Sequence, residues 1–232
     1  MFGLKKTKFV LAGSVGLFAA TAAYAVTFSG SHLDNFHSES KTSDASISQS
    51  SSDLRDMTFT ITSSKGSRAE IRRSSQNSGL QSMGGSFKLN SEASGADRLS
   101  IIQVLTVEAA NSATGDSKPD EQLAMRKTGG TSGGKPQWEF YLVHTSDQPA
   151  CTSFKFTRGQ SLNIKMEYEK DKKPKFIIKQ GSTERSCTSG TSYTVGKNRA
   201  GSSGRYYYGK LGVYATGSGQ GSASVKWDNI YD

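Results

Sequence analysis

"SLNIKMEYEKDKKPKFIIKQG", residues 161–181, decides the fold class. Leu162, Ile164, Met166 and Tyr168 are apolar, and Asn163, Lys165 and Glu167 between them are polar. Side chains of a strand point alternately to its two faces, so this run is a strand with one buried and one wetted face. "KDKKP" at 170–174 supplies a turn, and "KFIIKQ" returns along the same path. The unit reads as an antiparallel hairpin. Its lysines read as a solvated face in preference to a ligand patch.

Working outward, short alternating runs recur on both sides. They are "MTFTIT" (57–62), "RAEIRR" (68–73), "SFKLN" (86–90) and "RLSIIQVLTVE" (98–108). "QLAMRK" (122–127), "QWEFYLVH" (137–144) and "TSFKF" (152–156) precede the hairpin; "RYYYGKLGVYA" (205–215) and "SASVKWDNIY" (222–231) follow it. Turn-forming residues separate them, among 25 glycines in the chain. This pattern predicts an all-β antiparallel sandwich. No segment carries a helical period of useful length, and no internal repeat is present. The Ser-rich stretch 38–55 has little to bury and reads as a loop or disordered lead-in.

The first residues read as a secretory leader. "MFGLKKTKF" is basic, "VLAGSVGLFAATAA" is apolar, and Ala23-Tyr24-Ala25 is a small-residue cleavage site, with cleavage expected after Ala25. The expected organisation is a leader over 1–25, a Ser-rich lead-in over 26–56 and one domain over 57–232. A secreted or periplasmic, monomeric protein is expected, with no membrane partner. The formal charge of +9 includes the leader's Lys5, Lys6 and Lys8 and stays positive without them. Outside the cytoplasm, an anionic polysaccharide is a better candidate partner than nucleic acid, although charge alone also serves solubility. Cys151 and Cys187 are the chain's two cysteines, and export makes their disulfide the expectation. His32, His37 and His144 share no ligand-like spacing with them, so no metal and no cofactor is expected.

Three strands carry chemistry. In "RAEIRR", Arg68, Glu70 and Arg72 share one face, where two guanidiniums flank a carboxylate. The row is either a structural ion network or a fork for a sugar carboxylate. Gln103 is an amide in an apolar strand, either a satisfied core group or a groove donor. In "YYYGKLGVYATG" (206–217), Tyr206, Tyr208, Lys210, Gly212 and Tyr214 share a face, and Tyr207, Gly209, Leu211 and Val213 share the other. An ammonium near a phenol favours phenolate, which suits a tyrosine acting as base and acid. A plain stacking platform for sugar rings uses the same residues.

"RAEIR", "QVL" and "YGKLGVY", in this order, resemble the motifs of polysaccharide lyase family seven, the jelly-roll alginate lyases. That family carries an R-[ST]-E-[LV]-R strand, a Q-[IV]-H strand and a Y-F-K-A-G-V-Y-N-Q strand. The resemblance runs from about Met57 to the C-terminus. It implies a concanavalin A-like β-jelly roll whose concave face binds an acidic polyuronate and cleaves it by β-elimination. Arg68 and Gln103 would neutralise the sugar carboxylate, with Arg72 supporting. Tyr214 would protonate the leaving oxygen and take the C5 proton; Lys210 and Tyr208 would bind substrate. Glu70 would hold the arginines. Two departures stand out: Leu105 occupies the family's histidine position, and Ala215-Thr216 replaces "NQ". Without that histidine one tyrosine must serve both proton steps, which favours mannuronate or β-glucuronate over guluronate. His144, at a strand end, is a possible substitute but reads as incidental. The alternative is a non-catalytic polysaccharide-binding module of the same fold.

Overall fold

In a computed structural model of the 232-residue chain, the residues described are 36–40, 42–53, 55–62, 66–107, 119–144, 150–189, 194–196, 206–217 and 221–232. The expected leader, its cleavage site and His32 lie outside them. Among the described residues there are fourteen strands, in two seven-stranded antiparallel sheets, and no helix. The first sheet runs β1 (Phe36–Ser40), β4 (Arg68–Arg73), β13 (Tyr206–Ala215), β6 (Arg98–Val107), β7 (Glu121–Ser132), β8 (Lys135–Leu142), β9 (Ala150–Thr157). The second runs β12 (Thr183–Thr188), β11 (Lys175–Gln180), β10 (Ser161–Tyr168), β5 (Gln81–Glu92), β14 (Ala223–Tyr231), β3 (Met57–Ile61), β2 (Ala45–Gln49). Strands distant in sequence lie side by side: β13 sits between β4 and β6, and β14 between β5 and β3. That crossing is the jelly-roll arrangement.

The core is where period-two alternation from both sheets meets. Ala69, Ile71, Val104, Leu211 and Phe140 of the first sheet face Phe59, Phe87, Ile164, Phe176 and Trp227 of the second. Phe87 packs edge-on against Trp227, Phe140 and Phe156, with centroids 5.3, 6.2 and 6.3 Å away. Each such side chain contributes roughly 1.5–3 kcal/mol by leaving water. The hairpin behaves as its alternation requires: Leu162, Ile164, Met166 and Tyr168 are buried, while Lys165 stays on the outer face, 2.7 Å from Glu167.

The Ser-rich stretch departs from the loop expected of it, because Phe36–Ser40 and Ala45–Gln49 are edge strands. An edge strand is held by backbone bonds on one side and needs few apolar groups. Ala45 and Ile47 supply them for β2 by packing on the core. β12 escaped expectation for the same reason, being mostly exposed. It carries Cys187, whose disulfide to Cys151 on β9 ties the edge of one sheet to the edge of the other.

One local feature sets the geometry of the first sheet. Between Leu211 and Tyr214, β13 carries an extra residue relative to β6, a β-bulge. Gly212 adopts φ +147 there, and a Cβ on it would lie 2.2 Å from the Ala69 carbonyl oxygen. Only glycine lets the β13 backbone approach β4 this closely. From across the core, the Trp227 indole donates to the Gly212 carbonyl at 3.4 Å.

Three outcomes are expected. Replacing both cysteines with serine, which opens a loop with a sequence separation of 36, lowers unfolding stability by roughly 3–4 kcal/mol, read as a lower urea midpoint. Gly212→Ala costs about 1–3 kcal/mol in the same assay. Asp120 is buried, which pushes its carboxyl from 3.8 up to about 7, with the Thr106 hydroxyl donating to it. Its folded value lies above its unfolded value, so the unfolded chain releases this proton first as pH rises. Stability therefore falls as pH rises through that window, and Asp120→Asn flattens the decline in urea titrations at stepped pH.

Candidate active site on the first sheet

Antiparallel register turns the three chemistry-bearing strands into cross-strand rows. On β4 and β13, Arg68 lies opposite Tyr214, Glu70 opposite Gly212, and Arg72 opposite Lys210. On β13 and β6, Lys210 lies opposite Gln103 and Tyr208 opposite Leu105. Arg72, Lys210 and Gln103 thus form one row over three strands. Their chain neighbours Ile71, Leu211 and Ile102 point into the core, so the row stands on the outer face of the sheet.

Glu70 is the centre of the arrangement. The Gln103 Nε2 donates to its Oε1 at 2.5 Å, and an Arg68 nitrogen lies 3.9 Å from its Oε2. The guanidinium of Arg68 sits over the Tyr214 ring, 4.5 Å from the centroid. The Arg72 guanidinium and the Lys210 ammonium lie 4.7 and 5.8 Å from the centre of the Tyr208 ring. Such cation–ring contacts are worth about 0.5–2 kcal/mol each, more when shielded from water. They also hold the guanidinium planes in fixed orientation.

Exposure divides the predicted residues into two groups. Arg68 keeps 19% of its side chain accessible, and Tyr214 is likewise half-buried. Gln103 and Lys210 are 2% and 0% exposed, so of these four side chains only Arg68 and Tyr214 reach the surface. Glu70, Arg72 and Tyr208 are buried as well. Gln103 was open to two readings from sequence; here it is a buried amide bonded to the carboxylate that steadies Arg68. Leu105 is buried in a small apolar cluster with Val107 and Tyr208, against which Tyr206 packs.

The row extends one strand beyond what the motifs suggested. Gln122 on β7 lies opposite Gln103, and its Nε2 is 3.1 Å from the His144 Nε2. The backbone N–H of His144 donates to Glu121 at 2.9 Å. His144 is therefore fixed at the margin of the same row, three strands from Lys210. Alternation in "QLAMRK" gives the face of Gln122, but nothing local indicates that His144 reaches it.

No protein-family profile matches the chain, and no characterised protein sequence matches it. Solved structures do. The alginate lyase from Corynebacterium sp. superposes with a TM-score of 0.55 at 13% identity, over 86% of this chain and 94% of that one. Alginate lyase A1-II', a member of polysaccharide lyase family seven, gives 0.52 at 14% identity over the same shares. The family-seven alginate lyase AlgAT5 gives 0.51 at 13% identity, again over 86% and 94%. The chain has the jelly-roll fold of the family-seven alginate lyases.

Proposed function

We propose that the protein is a secreted polysaccharide lyase that cleaves an acidic polyuronate, mannuronate-rich alginate or a glucuronan, by β-elimination. The pairing of Arg68 with Tyr214 carries this reading: a guanidinium 4.5 Å from a phenol ring, both accessible, on a jelly roll of the lyase type. A structure of alginate lyase A1-II' in complex with a product, 17% identical and with a TM-score of 0.50, is consistent with sugar binding by this fold. The Cys151–Cys187 disulfide agrees with an exported protein.

The chemical obstacle is the weak acidity of C5–H beside an ionised carboxylate. Arg68 donates to that carboxylate and offsets the charge that builds on it as the proton departs. Tyr214, as phenolate, takes the C5 proton; the electron pair forms the C4=C5 bond and the C4–O bond breaks. The same proton then passes from Tyr214 to the departing oxygen, so protons and electrons balance. Glu70 and Gln103 act behind Arg68 and keep its position; Arg72 and Lys210 supply positive field towards the bound sugar, both held against the Tyr208 ring. With Leu105 in an apolar cluster, no second base stands on that strand. One tyrosine can serve both steps only when the C5 proton and the leaving oxygen share a side, as in mannuronate and β-glucuronate. The same leucine favours the second reading, a non-catalytic module that binds anionic polysaccharide.

The ultraviolet absorbance of the new C4=C5 bond, conjugated to the carboxylate, decides between them. The signal is expected to rise with poly-mannuronate or polyglucuronate and to stay flat with poly-guluronate. Tyr214→Phe should lower the rate about 100-fold or more, and Arg68→Ala by a similar factor. Retention of full activity by Tyr214→Phe removes the proposed acid and base. Binding of all three polymers with no absorbance change selects the module.

A further inference from the structure

The outer face of the second sheet, on the far side of the sandwich from Arg68 and Tyr214, holds a depression of about 450 Å³. That volume is in the range of small-ligand sites. Its construction depends on another bulge. Between Asp228 and Tyr231, β14 carries an extra residue relative to β5, and Asn229 takes the left-handed value φ 53. Bulges of this kind redirect side chains. Here the redirected side chain is Tyr231, laid across Gly84: a Cβ on Gly84 would meet the Tyr231 hydroxyl at 2.9 Å and the Ile164 carbonyl at 2.2 Å. Tyr231 stays 38% exposed, one of two large hydrophobic residues so exposed among those described.

The remaining walls suit a sugar acid. Ile177 adds an apolar surface, and the exposed amides of Asn163 and Asn229 offer donors and acceptors for hydroxyls. Lys165 and Lys179 bring two ammoniums, against one lining carboxylate, Glu184, which lies opposite Lys179 on β12. Lys165 also pairs with Glu167 at 2.7 Å and keeps further donor capacity, since an ammonium has three N–H groups. An aromatic platform, amides and two ammoniums match a pyranose ring with one apolar face, several hydroxyls and a carboxylate. The lysine face that the hairpin sequence suggested was merely solvated therefore surrounds a shaped hollow.

We propose that this depression is a second binding site, for a hexuronate segment of an anionic oligosaccharide. The sugar class rests on the proposed function above; the position of the site does not. Two sites on opposite faces let one protein hold two stretches of polymer, raising avidity without a new contact at either.

The test is a titration of a mannuronate tetramer into isotope-labelled Tyr214→Phe protein, in which the ligand is not consumed, followed by amide NMR. Saturable shifts are expected at Gly84, Gly85 and Asn229. Tyr231→Ala and, independently, Lys179→Glu should weaken those shifts several-fold while leaving the shifts at Arg68 and Gly212 in place. Movement at Arg68 and Gly212 with Gly84, Gly85 and Asn229 unmoved overturns the inference and leaves the proposed lyase standing. Equal binding of a neutral mannose tetramer overturns the anionic class. The absorbance assay on the unmodified protein reads the lyase proposal separately, so the two fail in different experiments.

Discussion

The close approach of β13 to β4 at Gly212 is the constraint on which the candidate site depends. A side chain there would drive the two backbones apart, since its first carbon would overlap the Ala69 carbonyl oxygen. Strand separation in a sheet is fixed by hydrogen bonds to within a few tenths of an ångström. Losing that contact would not shift one residue; it would shift Arg68 against Tyr214 and Arg72 against Lys210 together, because all are set by one register. The Trp227 indole, bonded to the Gly212 carbonyl from the opposite sheet, ties this register to the core. Site and core are therefore coupled through a single peptide group.

Charge is the second determinant. On β4 and β13, three cations (Arg68, Arg72 and Lys210) share a face with one carboxylate, Glu70. Burying cations without compensation is expensive. Glu70 offsets part of that cost, and the rings of Tyr208 and Tyr214 offset more by presenting their negative faces. Fields in such a buried region are weakly screened, so the placement of these few charges relative to one another sets the local potential.

The strand order of the first sheet was not written in any one segment, yet its faces were. Residues 68–73 were bounded correctly because "RAEIRR" has turn-forming neighbours and clean alternation. The parity of Lys210 and Tyr214 survived the bulge because β13 keeps unbroken register with β4; the slip is taken up against β6 instead. Burial was less legible. A lysine on a strand's polar face reads as exposed, and the full enclosure of Lys210 arises from tertiary neighbours that local periodicity does not encode. Gln122 could be assigned a face but not a partner, and His144 reaches it only because β7 and β8 pair past their regular ends. β1, β2 and β12 were missed since edge strands draw on backbone pairing and little hydrophobic pattern.

In the proposed mechanism Leu105 would do more than leave one strand without a base. Packed with Val107 and Tyr208, it makes the part of the face beside Lys210 apolar. A histidine at that position would bring a second titrating group and the water that solvates it. A leucine brings neither, and the absence of a competing dipole strengthens the field that Arg72 and Lys210 exert on whatever occupies the site. On the proposed lyase reading, a drier wall in place of an acid–base group would narrow the range of sugars whose geometry suits a lone tyrosine. The remaining charges would then act with less screening on those that fit. Leu105 would in that case set specificity through geometry and dielectric together, favouring a polymer whose C5 proton and leaving oxygen share a side of the ring.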